Sequence, residues 1–95
     1  MPRRTRSGFR GVAWHSHAGK WYARVKFLRR EISLGYYNSA EEAAKVYDIA
    51  ARLLFGAEAV TNYGGNLPQT VSVDDVVDIL MSRGIPASYL HLAVA

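Results

Sequence analysis

Arg24 and Lys26 stand two apart in Trp21-Tyr22-Ala23-Arg24-Val25-Lys26-Phe27, the spacing of two cations on one side of a β-strand. Tyr22 shares their side, and Trp21, Ala23, Val25 and Phe27 share the other. Such a set can neutralise phosphates, and its guanidinium can donate two hydrogen bonds to one guanine edge. His15 and His17 are the one candidate metal pair, but no Cys, Asp or Glu lies close by in sequence to complete a set of ligands. Solvated or phosphate-facing imidazoles are therefore expected. Glu41 and Glu42 fall where a helix should begin, and there carboxylates favour the helix dipole without any catalytic role. No G-x-S-x-G, P-loop or H-E-x-x-H pattern occurs. The expectation is a binding surface with no enzyme activity, no cofactor and no metal.

The cations are segregated along the chain. Residues 1–30 carry nine basic side chains and no acid, a local charge of +9, whereas residues 31–95 carry three basic and eight acidic ones, a local charge of −5. The whole is +4 over 95 residues, with a pI near 9.7. A field so divided favours a polyanion on one surface. Apolar residues at 49% and charged residues at 21% suit a folded soluble domain, and the length suits one compact domain or a smaller one with a tail. The absence of cysteine excludes disulfide staples and thiolate zinc sites. Apolar runs are too short for a membrane span or a signal peptide, so an intracellular, water-soluble chain with no membrane partner is expected.

Three strands and a helix must hold the strip in place. Val12 and Trp14 alternate with Ala13 and His15, Ser16 to Lys20 supply turn chemistry, and Ile32 and Leu34 follow a short basic turn around Leu28-Arg29-Arg30. The apolar face is Val12, Trp14, Trp21, Val25, Phe27, Ile32 and Leu34, and the opposite face carries Ala13, His15, Tyr22, Arg24 and Lys26. Arg10 has the parity of Val12 and would point at the core in a regular strand. Either a kink at Gly11 turns it outward or the strand begins after it. Ser39 and Glu42 read as a capping box opening a helix over about 40–55, with Ala43, Val46, Tyr47, Ala50, Leu53 and Leu54 inward and Gly56 as terminator. The fold class is thus α+β, a three-stranded antiparallel sheet packed against one helix. The minimal domain is expected at 8–63, after a basic arm at 1–7. A linker at 64–70 contains the Gly64-Gly65-Asn66-Leu67-Pro68 boundary. The tail, 71–95, has a second cap at Ser72 and Asp75, an amphipathic helix with Val73, Val76, Val77, Leu80 and Met81, and a last turn from Pro86 through Leu92. It could pack on the core, bind a protein partner, or form half of a longer element.

From about Gly8 to Tyr63 the chain resembles the plant Apetala-2/ethylene-response-factor DNA-binding domain. The residues that carry this are Arg10-Gly11-Val12, Gly19-Lys20-Trp21, Ala23-Arg24-Val25, Leu34-Gly35-Tyr36-Tyr37, Ala40-Glu41-Glu42-Ala43-Ala44, Tyr47-Asp48-Ile49-Ala50-Ala51 and Asn62-Tyr63. The resemblance implies a sheet laid in the major groove of duplex DNA with a helix packed behind it. It assigns DNA-facing positions to Arg10, Ala13, His15, His17, Lys20, Arg24, Lys26 and Ser33. Ethylene-response members place arginine where Ala13 and His15 stand and tryptophan where His17 and Ser33 stand. The first turn is one residue longer here, as in the Apetala-like branch, so the resemblance does not extend to the GC-rich target of the ethylene-response branch. A similar module accompanies homing endonucleases of phage and bacteria.

The expected function is sequence-specific binding of double-stranded DNA as the DNA-binding domain of a transcription factor, in the nucleus if the source is eukaryotic. The alternative is the targeting module of a homing endonuclease or other mobile-element protein, in the cytoplasm of a bacterium or phage-infected cell. A third reading is a protein-interaction domain whose basic strip meets an acidic partner. Lys20, Arg29 and Arg30, expected in turns at strand ends, are candidates for contacts to the DNA backbone. The acidic tail is expected to be dispensable for DNA contact.

Overall fold

The structure, a computed structural model, describes residues 8–63 and 71–91. The expected arm (1–7), the linker (64–70) and the end of the tail (92–95) lie outside the described residues. Strands β1 (Val12–His15), β2 (Lys20–Phe27) and β3 (Arg30–Tyr37) form an antiparallel sheet in the order β1-β2-β3. Helix α1 (Ala40–Phe55) follows, then α2 (Val73–Ser82), with short 3-10 turns at Gly56–Glu58 and Ala87–Tyr89.

Local chemistry accounts for these bounds. Ser39 Oγ accepts the Glu42 N–H at 3.1 Å, which satisfies one of the orphan donors at the start of α1, and the Gly56 N–H donates to the Arg52 carbonyl at its end. Leu28 and Arg29 form the two-residue connection between β2 and β3, both in the left-handed region at φ 53° and 64°. That is type I′ geometry, which matches strand twist and normally recruits Asn-Gly. Lys20 and Arg30, expected in turns, instead open β2 and β3. At the start of β1, Gly11 takes φ 76°, and a Cβ there would collide with the Tyr47 ring and lie 2.8 Å from the Arg24 carbonyl oxygen. The strand begins after Arg10, whose side chain is exposed.

One irregularity decides which side chains share a face. Val12, Ala23 and Gly35 stand opposite one another across the three strands, as do Ala13, Tyr22 and Tyr36, but beyond a register shift the partners become Arg24↔Ser33, Val25↔Ile32 and Lys26↔Glu31. Leu34 is the extra residue of a β-bulge. Leu34 remains buried, and the alternation after it reverses, so that Tyr36 emerges on the side of Tyr22 and Arg24.

Val12, Ala23, Val25, Ile32 and Leu34 of the sheet pack against Ala43, Ala44, Val46, Ile49, Ala50, Leu53 and Leu54 of α1. The alanines leave room for the helix to approach the sheet, and each large aliphatic side chain contributes about 1.5–3 kcal/mol by leaving water. Val76 and Leu80 of α2, with Ile85 and Leu90, belong to the same cluster. The His91 N–H also donates to the Leu53 carbonyl at 2.6 Å. The tail therefore packs on the core, the first of its three expected uses. Trp14, expected in the apolar face, is 40% exposed, because on an edge strand it has a neighbour on one side only, the half-buried Trp21 at 5.1 Å between ring centres. Val73 and Met81, expected on the apolar face of α2, are likewise exposed.

Candidate nucleic-acid interface

With α1 sealing one side of the sheet, the other side is left free by the described residues. The strand register puts Ala13 and His15 of β1, Lys20, Tyr22, Arg24 and Lys26 of β2, and Ser33 of β3 on that free side together. Alternation and the family resemblance placed Ala13, His15, Tyr22, Arg24, Lys26 and Ser33 on this side; Lys20, expected in a turn, joins them from the start of β2, as do Glu31 and, through the bulge, Tyr36.

Each member has a defined local role. Lys20 Nζ donates to Asn38 Oδ1 at 2.6 Å, which holds the ammonium at the end of the sheet beside the start of α1. His15 Nδ1 accepts the Ala18 N–H at 3.1 Å, so the imidazole ties down the first turn. His17 is exposed in that turn, with its ring 6.2 Å from that of His15. Arg24 Nε lies 3.3 Å from Glu31 Oε1, a diagonal cross-strand pair in which both side chains remain open to solvent. Lys26, exposed, stands directly opposite Glu31. Arg29 is exposed at the hairpin tip. Arg30 differs from the rest. It stands opposite Phe27, and its Nη2 donates to the Arg83 carbonyl at 2.8 Å, so it caps the C-terminal end of α2.

Arg10 is fixed from behind through a chain of hydrogen bonds. Asp48, 1% exposed, is the buried charged residue of α1, and it accepts from the Asn62 N–H (2.8 Å), Asn62 Nδ2 (3.0 Å) and the Tyr63 N–H (2.9 Å). Asn62 in turn takes the Arg10 N–H at 2.6 Å and gives Nδ2 to the Arg10 carbonyl at 3.1 Å. The neighbouring Gly11 carbonyl accepts the Arg24 N–H at 2.9 Å, so Arg10 is carried beside the middle strand.

Burial holds the phenols of Tyr37, Tyr47 and Tyr63 above the usual tyrosine range. Glu42 adds to the shift at Tyr37, and Glu41 and Asp48 at Tyr63; at Tyr47, nearby Arg10 opposes it. Among the described residues no group of three or more His, Cys, Asp or Glu could hold a metal, and no helix is long and apolar enough to cross a membrane.

No family model matches the chain. It is 41% identical over 81 residues to the ethylene-responsive transcription factor WRI1 of Arabidopsis thaliana, a match covering 83% of the chain and 17% of that protein. It is 38% identical over 82 residues to the AP2-like ethylene-responsive transcription factor PLT2 of the same plant, covering 84% of the chain and 13% of that protein. The chain belongs to the Apetala-2/ethylene-response-factor domain family. A rice relative, the AP2-like ethylene-responsive transcription factor CRL5 of Oryza sativa subsp. japonica, is 41% identical over 59 residues, or 60% of the chain and 9% of the relative. The chain thus spans less than a fifth of the length of these relatives.

In this Apetala-2-type domain two residues at or beside the candidate face were not singled out from the sequence. Tyr36 reaches the free face only through the bulge, which alternation does not signal. Arg83, from the tail, places Nε 3.1 Å from the Ser33 carbonyl, at the outer edge of β3. Its position in an otherwise acidic segment concealed it.

Proposed function

We propose that this chain binds duplex DNA sequence-specifically by laying the free face of its sheet in the major groove, as the DNA-binding domain of a transcription factor that acts in the nucleus. The observation that carries this reading is the grouping of Lys20, Arg24 and Lys26 with His15 and Tyr22 on one face of a sheet whose other face is closed by α1. A twisted sheet of this size fits the major groove, where base edges are distinguishable. Arg24 is assigned to a base edge, and Arg10, His17, Lys20, Lys26 and Arg29 to positions along the phosphates. Ala13, His15, Tyr22 and Ser33 lie between them.

The similarity to plant transcription factors favours this role over a mobile-element nuclease module, and a non-enzymatic domain suits it. We place the folding unit at 8–91 rather than 8–63, because Val76, Leu80, Ile85 and Leu90 share the core. A protein partner for α2 would then meet its exposed Val73 and Met81. Selection from randomised duplexes tests the proposal, and should yield one enriched motif. With ~4–6 phosphates contacted, affinity for that motif should fall with salt at a log–log slope of about −4 to −5. Binding without sequence preference would favour the acidic-partner reading, and a flat salt response would refute the proposed interface.

A further inference from the structure

Ala13, Tyr22 and Tyr36 stand directly opposite one another, forming a row straight across the free face. The rings of Tyr22 and Tyr36 lie 5.2 Å apart, and the His15 ring lies 5.1 Å from Tyr36 and 6.2 Å from Tyr22. Tyr36 is 47% exposed, so the cluster is not closed over by the described residues. Cations flank it along β2, Lys20 on one side and Arg24 and Lys26 on the other. The face is therefore divided, with charge toward its ends and an apolar, aromatic band in between.

That division has a chemical counterpart in the DNA groove. Phosphates, which line the rims, offer nothing to a methyl group or a ring edge. Of the groups displayed on the major-groove floor, the apolar one is the C5 methyl of thymine, and it is contacted by alanine methyls and aromatic rings. Cytosine methylated at C5 presents the same group. Resting on the DNA-binding function proposed above, we propose that the Ala13–Tyr22–Tyr36 row recognises the C5 methyl of a pyrimidine, and so adds a specificity-determining contact beside the guanine edge assigned to Arg24.

The test uses the full chain and the motif obtained by selection. Each thymine is replaced singly by deoxyuridine, which lacks only the methyl, and each cytosine singly by 5-methylcytosine. One position should lose about three- to tenfold in affinity on T-to-dU exchange, the scale expected for burying one methyl group. If the row instead reads 5-methylcytosine, one C-to-5-methylcytosine exchange should gain by a similar factor. In Tyr36→Ala that ratio should fall to about one, whereas Tyr36→Phe, which keeps the ring, should retain it. Tyr22→Ala provides a second reading should Tyr36→Ala fold poorly. Two results would overturn the proposal: affinities indifferent to the methyl at every position, or a Tyr36→Ala variant that loses stability and affinity evenly while its methyl ratio stays intact. Absence of any duplex binding by the wild-type chain would instead reject the function on which the proposal rests.

Discussion

Replacing Asp48 with alanine removes the acceptor of three hydrogen bonds, from Asn62 N, Asn62 Nδ2 and Tyr63 N, at a site 1% exposed. A bond to a charged acceptor contributes about 1.5–3 kcal/mol, yet the three cannot simply be added. The donors are only partly buried and recover some water, and the carboxylate no longer pays its own desolvation. A net loss of about 2–4 kcal/mol is the reasoned figure, which in a domain of this size lowers the melting temperature by about 10–25 °C. Asp48→Asn should cost about half as much. It keeps the shape but turns an NH2 group toward the Tyr63 N–H. The second effect is on function, because Asn62 fixes the Arg10 backbone: Asn62→Ala should reduce DNA affinity more than its stability loss explains, measured well below its own melting point. Urea and thermal denaturation with fluorescence anisotropy on a selected duplex give all three quantities. An Asp48→Ala domain within about 1 kcal/mol of wild type would refute the reasoning, since exposed substitutions alone stay near that range.

Other perturbations have equally definite outcomes. Arg24→Ala should relax preference at one base position of a singly varied site panel, while the exposed Arg24–Glu31 pair contributes only about 0.2–1 kcal/mol to stability, so Glu31→Gln should melt nearly as wild type and bind DNA more tightly. An even loss across all sequences in Arg24→Ala would assign that arginine to a phosphate. Leu28→Asn should raise the melting temperature by several degrees, because asparagine tolerates the left-handed backbone that a leucine holds there at a cost of about 1–2 kcal/mol. Tyr37, Tyr47 and Tyr63 keep their protons in the folded chain at pH values where the unfolded chain releases them. Their contribution to stability is thus complete below pH 10.0 and is lost as pH rises through their raised folded values; denaturant midpoints should decline above that pH, with a delayed tyrosinate absorbance phase.

Much of the framework was legible because short-range chemistry sets it. Alternation from Trp21 to Phe27 needs only the pleat of a strand, and the Ser39–Glu42 spacing needs only the geometry of a first helical turn, so β2 and α1 appear where expected. Features set by distant neighbours were not legible. An aspartate at position 48 resembles any solvent-side helical residue until Asn62 and Tyr63 arrive from the chain beyond. Tyr36 has the wrong parity for the free face until one residue, Leu34, is absorbed into a bulge. Exposure at Trp14 depends on its place at the sheet edge, which strand order decides.

The bond from Arg83 to the Ser33 carbonyl bears on the exposed edge of the sheet. An outermost strand presents unpaired amides and carbonyls, a template on which a second molecule can add a strand and begin an aggregate. At β3 a guanidinium from the far end of the chain occupies one of those carbonyls, and α2 packs close by. A cation at a strand edge also repels another copy of the same basic sheet. The tail thus lies along the sheet like a selvedge: it covers part of the outer edge of β3 and leaves the face that carries Lys20, Arg24 and Lys26 uncovered by the described residues.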